Sequence, residues 1–165
     1  MRLTDAWLAF PFLILAIGLV TILGPSLTNP TLGIGLGATP TYIRLTRGLV
    51  LATKEEEYVH GARALGAGDL RVMARHILPN VASAILVQAT VAIPTAVIAE
   101  AVLSFLGLGV QPPLTSLGNM VGYGREYLTR APWIMLSPAA VIVLSTLSIS
   151  IVGDWLRDRL DPTLR

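Results

Sequence analysis

Apolar residues in this chain come in long unbroken runs rather than in the alternation of half-buried strands. Ala6 to Leu23 carries no charge, and neither does Ala131 to Val152. Val81 to Leu103 holds a single charge, Glu100, near its end. A fourth run, Leu32 to Ala52, is interrupted by Pro40, Arg44 and Arg47. A helix needs about 20 mainly apolar residues to cross a bilayer. The pattern therefore predicts an all-α membrane protein with about four transmembrane helices, over 6–23, 32–52, 81–103 and 131–152. Between and after them lie a polar interval over 55–80, a Gly- and Pro-rich loop over 104–130, and a charged tail over 153–165. Arg2 ahead of the first run suits a signal peptide, but Leu23-Gly24-Pro25-Ser26 is a poor cleavage site and more spans follow, so the run is read as retained.

Composition agrees with that class. The 165 residues are 53% hydrophobic and 13% charged, where soluble domains carry about a quarter charged residues. A net charge of +2 on scattered basic residues excludes a nucleic-acid binder. With no cysteine there is neither disulfide nor thiolate metal site. Charge placement predicts orientation, because basic residues concentrate on the cytoplasmic side. If all four runs span, Arg2, the six basic residues of 44–79 and the three of the tail share one face. That is ten of the twelve, leaving Arg125 and Arg130 opposite. Both termini and 55–80 are then cytoplasmic, and the 104–130 loop faces outward. The placement also supports the weak second span, whose Arg44 and Arg47 would snorkel to its cytoplasmic interface.

The polar interval carries the most information. Glu55-Glu56-Glu57 suits a helix amino terminus, Gly66 suits a left-handed helix end, and Asp69 suits a cap for a second helix. Leu70, Met73, Ala74 and Ile77 then form one apolar stripe, and Pro79 stops that helix or starts the next. The expectation is two short helices with a bend. Spacing by itself favours a surface-lying amphipathic connector. The shortage of Trp and Phe anchors, and the small residues Gly61, Ala62, Ala64, Gly66, Ala67 and Gly68, favour packing into a partner's groove instead.

Catalytic chemistry has no constellation here. Gly66-Ala67-Gly68-Asp69 is not a phosphate loop, and no Gly-x-x-x-x-Gly-Lys-Ser/Thr occurs. His60 and His76 stand sixteen apart without a supporting carboxylate pattern and read as contact histidines. No cofactor is expected. Glu100 is the acidic residue of a span, and intramembrane charge is a functional hypothesis by default. Nineteen residues beyond Val81, it falls near the outer mouth, where a hydrated interfacial carboxylate is an equal reading. Gln88 and Pro94 of the same span are weaker candidates for lining or bending a pathway.

Several blocks resemble one family. Aligned on Gly66, His60-Gly61-Ala62 and His76-Ile77-Leu78-Pro79 look like the EAA loop of ABC-importer permeases, lacking its Glu, first Ala and first Ile. Ala62-Arg63-Ala64-Leu65-Gly66 and Arg75-His76-Ile77-Leu78-Pro79-Asn80 resemble the variant of the dipeptide, oligopeptide and nickel permeases. So do Leu103 to Pro113, Ala131-Pro132-Trp133 and Gly153 to Pro162, although Leu117-Gly118 stands where that subgroup commonly has Trp-Gly. The resemblance implies a type I importer (MetI-like) permease core for peptides, or for nickel-like cargo, in a prokaryotic cytoplasmic membrane. It implies coupling helices docked in a separate ATPase subunit, with Ala62, Ala64, Leu65 and Gly66 inserted, Arg63, Arg71 and Arg75 pairing with acidic groups, and Pro79 closing the motif. It further implies a second permease subunit in a heterodimer, an extracytoplasmic substrate-binding protein docking on the outward loop, lipid around the spans, and no hydrolysis of ATP in this chain. Members usually have six spans, so the chain looks amino-terminally truncated, starting at their third. A non-transporting scaffold or remnant is the alternative.

Overall fold

The computed structural model describes residues 2–160, and its regular structure is helical. The first apolar run is not one helix. Helix α1 covers Arg2–Leu8 and α2 covers Phe12–Leu23, with an 86° bend between them. The break has a local cause. Pro11 disfavours helical geometry at Phe10, and Pro11 itself sits extended at φ −57°, ψ 130° ahead of α2.

Helix α3 covers Thr28–Thr53 and runs through Pro40, outreaching the expected 32–52 at both ends. It returns antiparallel to α2, and the contact is made by small residues. A Cβ on Gly33 would stand 2.9 Å from the Ala16 Cα, and one on Gly37 3.1 Å from the Phe12 Cβ. Glycines four apart let two backbones approach closely, which is how helices associate where lipid removes the hydrophobic drive. Asn29 secures the turn between them, its Nδ2 donating to the Gly24 carbonyl at 2.8 Å.

Helix α4 covers Glu57–Ala64 and α5 covers Asp69–Val72. Here the structure corrects the expectation of two separate short helices. From α5 the chain continues through one π turn, Met73–Ile77, into α6, Leu78–Phe105, giving a continuous 37-residue helix, Asp69–Phe105. Pro79 sits in the first turn of α6, where the sequence expects a start, but the helix ahead of it is not interrupted. A proline inside a helix lacks the N–H for its carbonyl four residues back and clashes with it, and the wide turn immediately before Pro79 absorbs both defects. At about 1.5 Å per residue the helix is about 55 Å long. A hydrocarbon core is about 30 Å thick, so this rod is long enough to cross lipid and project well beyond it.

Helix α7, Leu117–Gly124, follows the Pro-rich stretch and leads through a 3₁₀ turn, Arg125–Tyr127, toward α8, Trp133–Leu160. Helix α8 does not end at 152: residues 153 to 160, expected in the tail, are its last turns. Near the end of α8 the Arg159 guanidinium lies 5.2 Å from the centroid of the Trp155 ring. The rest of the tail, 161–165, lies outside the described residues.

Helix α6 is central, packing against α3, α7 and α8. By length and composition, Asp69–Phe105 and Trp133–Arg159 are apolar enough to cross a membrane, with a third crossing if the bent α1–α2 pair counts as one. Helix α3, with its threonines, glycines and two arginines, is not among them. Large apolar side chains such as Ile14, Leu86, Leu144 and Ile151 point outward on these helices, as the lipid-facing surface of a helical membrane protein requires.

Candidate functional site

The polar interval folds into a compact elbow at the foot of the α5–α6 rod. Helix α4 ends in a Schellman motif. Gly66 takes φ +84°, its N–H donates to the Arg63 carbonyl at 2.9 Å, and the Ala67 N–H donates to the Ala62 carbonyl at 3.1 Å. Gly68, extended at ψ 155°, is the residue capping α5. Asp69 is therefore not the cap. It is the first helical residue, where its charge suits the helix dipole, and its carboxylate accepts from Arg63 Nη2 at 3.3 Å.

Which side of the elbow is buried differs from the expected stripe. Val59, Val72, Ile77 and Val81 form one closed cluster, with Leu49, Val50, Ala67 and Ile85 packed around it. Of the predicted stripe only Ile77 is inside. Leu70 is 81% exposed, and Met73 and Ala74 are exposed as well. The π turn is the reason: it inserts a residue into the helical register, which rotates the rod below it and brings Val72 inward in place of Met73. Leu65 (92% exposed), Leu70, Arg71 and Arg75 are all exposed on the elbow.

Of the sequence-predicted docking residues, Ala62, Arg63, Ala64, Leu65 and Gly66 form one helix end and turn. Arg71 and Arg75 lie on the first turns of the rod, and Pro79 one turn above. All are exposed except the half-buried Ala62. Arg63 is already paired inside the elbow, so Arg71 and Arg75 are the cations the elbow offers outward. Sequence reasoning missed Tyr58 and Asn80. Asn80 Nδ2 donates to Tyr58 Oη at 3.0 Å and to the His76 carbonyl at 2.7 Å, tying α4 to the rod across the π turn. Neither residue carried a local signal for this contact, since Tyr58 and Asn80 stand 22 apart in sequence.

The pathway candidates are not brought together. Gln88, Pro94 and Glu100 stand six apart on α6, which at 3.6 residues per turn spreads them about 120° from one another around the helix. Gln88 contributes its backbone carbonyl to Tyr42 Oη of α3 at 3.3 Å. Glu100, half-buried, accepts from Ser104 Oγ at 2.6 Å. Around that pair α6 and α7 meet with glycine backbones against it: a Cβ on Gly118 would stand 2.8 Å from the Ser104 Cβ, and one on Gly109 2.7 Å from the same atom. Ser116 caps α7 by accepting from the Asn119 N–H, and the buried Asn119 side chain donates to the Val110 carbonyl at 2.6 Å. Beside them lies a cleft of about 310 Å³ with Ser104, Asn119, Tyr123, Arg125 and Glu126 in its walls. The 104–130 segment is thus a folded helical insert rather than plain loop.

Comparison with known proteins gives these features their context. The family described as binding-protein-dependent transport system inner membrane component matches residues 1–165. The chain is 46% identical over 165 residues to the di/tripeptide transport system permease protein DppC of Pseudomonas aeruginosa, covering all of this chain and 54% of that protein. It is 43% identical to the dipeptide transport system permease protein DppC of Alkalihalophilus pseudofirmus, covering 99% of this chain and 54% of that one. The glutathione transport system permease protein GsiD of Escherichia coli is 40% identical, with 100% and 54% covered. The chain spans about half the length of these curated relatives. An exposed helical elbow at the root of a long apolar helix, within a helical bundle matched over its whole length, places the chain in the family of binding-protein-dependent transport system inner membrane components.

Proposed function

We propose that this chain serves as permease of an ATP-binding-cassette importer for short peptides, in which ATP is hydrolysed by a separate subunit docked on the elbow. The observation that carries the proposal is the continuity of the elbow with the membrane helix. Leu65 and Leu70 project from a hairpin whose second arm is the 37-residue rod itself. A subunit gripping that hairpin pushes directly on a helix long enough to cross the bilayer. Burying two exposed leucines in a partner's cleft is worth about 1.5–3 kcal/mol each, and Arg71 and Arg75 supply charge for an acidic rim.

The orientation we propose puts the elbow and both termini in the cytoplasm, as the ten-to-two division of basic residues supports. Helix α3 then crosses as the fourth span against α2 and α6, sheltered by them from lipid on the side of its small residues. The α7 insert faces outward, where an extracytoplasmic substrate-binding protein delivers cargo, and a second permease subunit completes the pathway. Peptide cargo is favoured over nickel by the names of the relatives, which specify di/tripeptide, dipeptide and glutathione transport.

Co-purification tests the reading. The chain, expressed with the ATPase subunits of its own importer, retains them on an affinity column, and Leu65→Asp with Leu70→Asp abolishes retention without affecting membrane insertion. Equal retention by this double variant overturns the docking site. Labelling of residues 55–80 from outside intact cells overturns the orientation.

A further inference from the structure

The clasp between α4 and the rod has a chemical direction that identifies its role. Asn80 Nδ2 lies 2.7 Å from the His76 carbonyl, which can only accept. The nitrogen of the amide, not its oxygen, must therefore face that carbonyl. The same nitrogen lies 3.0 Å from Tyr58 Oη, so both of its hydrogens are used and the tyrosine accepts. One amide group bridges the docking helix, the π turn and the first turn of α6.

Geometry elsewhere in the elbow makes this bridge important. Helix α4 joins its neighbours in sequence through the turn at Lys54–Glu56 and through Leu65–Gly68, whose Gly66 is in the glycine-favoured conformation. Laterally it is held by Val59 in the apolar cluster, a contact without directional preference. Arg63 and Asp69 pair at the far end, but they join α4 to α5 below the π turn, not to α6 above it. Among the described side-chain pairs, Tyr58–Asn80 is the one that links α4 to the rod above the π turn. A π turn is a natural place for a helix to bend or slip register, and Tyr58 and Asn80 span it, with the Tyr58 and His76 rings 6.4 Å apart beneath.

We propose that the Tyr58–Asn80–His76 clasp bolts α4 to α6 across the π turn, so that a push on the docking helix moves α4 and the membrane rod as one body. Tyr58 and Asn80 are positioning residues in this role, which rests on the reading of the elbow as an ATPase dock. Without the clasp, the π turn yields and the displacement is absorbed at the elbow.

The absence of native cysteine allows a direct measurement. Spin labels at His60→Cys on α4 and Leu86→Cys on α6 report their separation by pulsed electron resonance, in the importer complex with and without bound ATP. With the clasp intact the separation is the same in both states. In Tyr58→Phe, which keeps the ring, and in Asn80→Ala, ATP shifts or broadens it by at least about 1.5 Å, one residue's rise along a helix, while ATPase retention is unchanged. A separation in Tyr58→Phe as constant as in the parent overturns the clasp and leaves the docking reading standing, and so does a parent separation that itself changes with ATP. Failure of the parent chain to retain the ATPase overturns both.

Discussion

Val72 and Ile77 share one buried face although they stand five positions apart. In a regular α-helix that spacing places two side chains about 140° apart. The π turn between them removes the mismatch and, with Val59 and Val81, closes an apolar cluster at the base of the rod. The same rotation leaves Leu70 outside.

Truncation at these two positions is therefore expected to have opposite consequences. Ile77→Ala removes a buried side chain and costs about 2–5 kcal/mol of local stability, read as faster amide exchange across 57–81. Leu70→Ala, 81% exposed, stays within about 0.5 kcal/mol yet weakens ATPase retention. Equal exchange rates in the two variants contradict the assignment of the buried face.

Gly66 has open space around a notional Cβ but takes φ +84°. The cost of substitution is thus backbone strain, about 1–2 kcal/mol for a residue with a Cβ, and greater for a β-branched one. Gly66→Val is expected to insert in the membrane at parental level while uptake falls and ATP hydrolysis continues uncoupled. Gly66→Asn, better tolerated in this conformation, retains most of the uptake. Parental uptake in the valine variant would remove the hinge from the mechanism.

Gly33 and Gly35 are near neighbours on α3 in different surroundings. A Cβ on Gly33 meets the α2 backbone at Ala16, while one on Gly35 meets nothing within 4 Å. Gly33→Leu should push α2 and α3 apart and destabilise the detergent-solubilised protein by about 1–3 kcal/mol, seen as a lower melting temperature. Gly35→Leu should melt like the parent. Indistinguishable melting curves would refute the close approach of the two helices.

Glu100 and Ser104 form a hydrogen-bonded pair near the C-terminal end of α6. If the carboxylate meets the cargo, Glu100→Gln lowers peptide uptake several-fold while ATPase retention holds, and Ser104→Ala has a smaller effect in the same direction. Unaltered uptake in Glu100→Gln retires substrate contact and leaves the pair as a helix-packing bond.

How far the sequence could be read depended on what each feature required. Gly66 was legible because a left-handed helix end selects glycine from local backbone energetics alone, and Glu56 and Glu57 at the start of α4 for an equally local reason. The break ahead of Pro11 carried a local signal too, but it lay inside an uncharged run whose length argued for one span. Asp69 was misassigned because Gly68, without any side-chain bond, already provides the extended residue the cap needs. The helical nature of 117–124 was hidden by its glycines. Gly118 and Gly124 are there because α6 and α8 come too close for a side chain, a fact about neighbours that helix propensity cannot express.

Sequence by itself determined that the chain is helical and belongs in lipid, since composition and run length act on each segment separately. Tertiary structure alone decided which face of the elbow is buried, that the second short helix is the root of α6, and that Tyr58 meets Asn80. Those outcomes turn on a single residue of helical register around Pro79. Register of that kind is set by side chains packing from other parts of the chain, not by the segment that bears the turn.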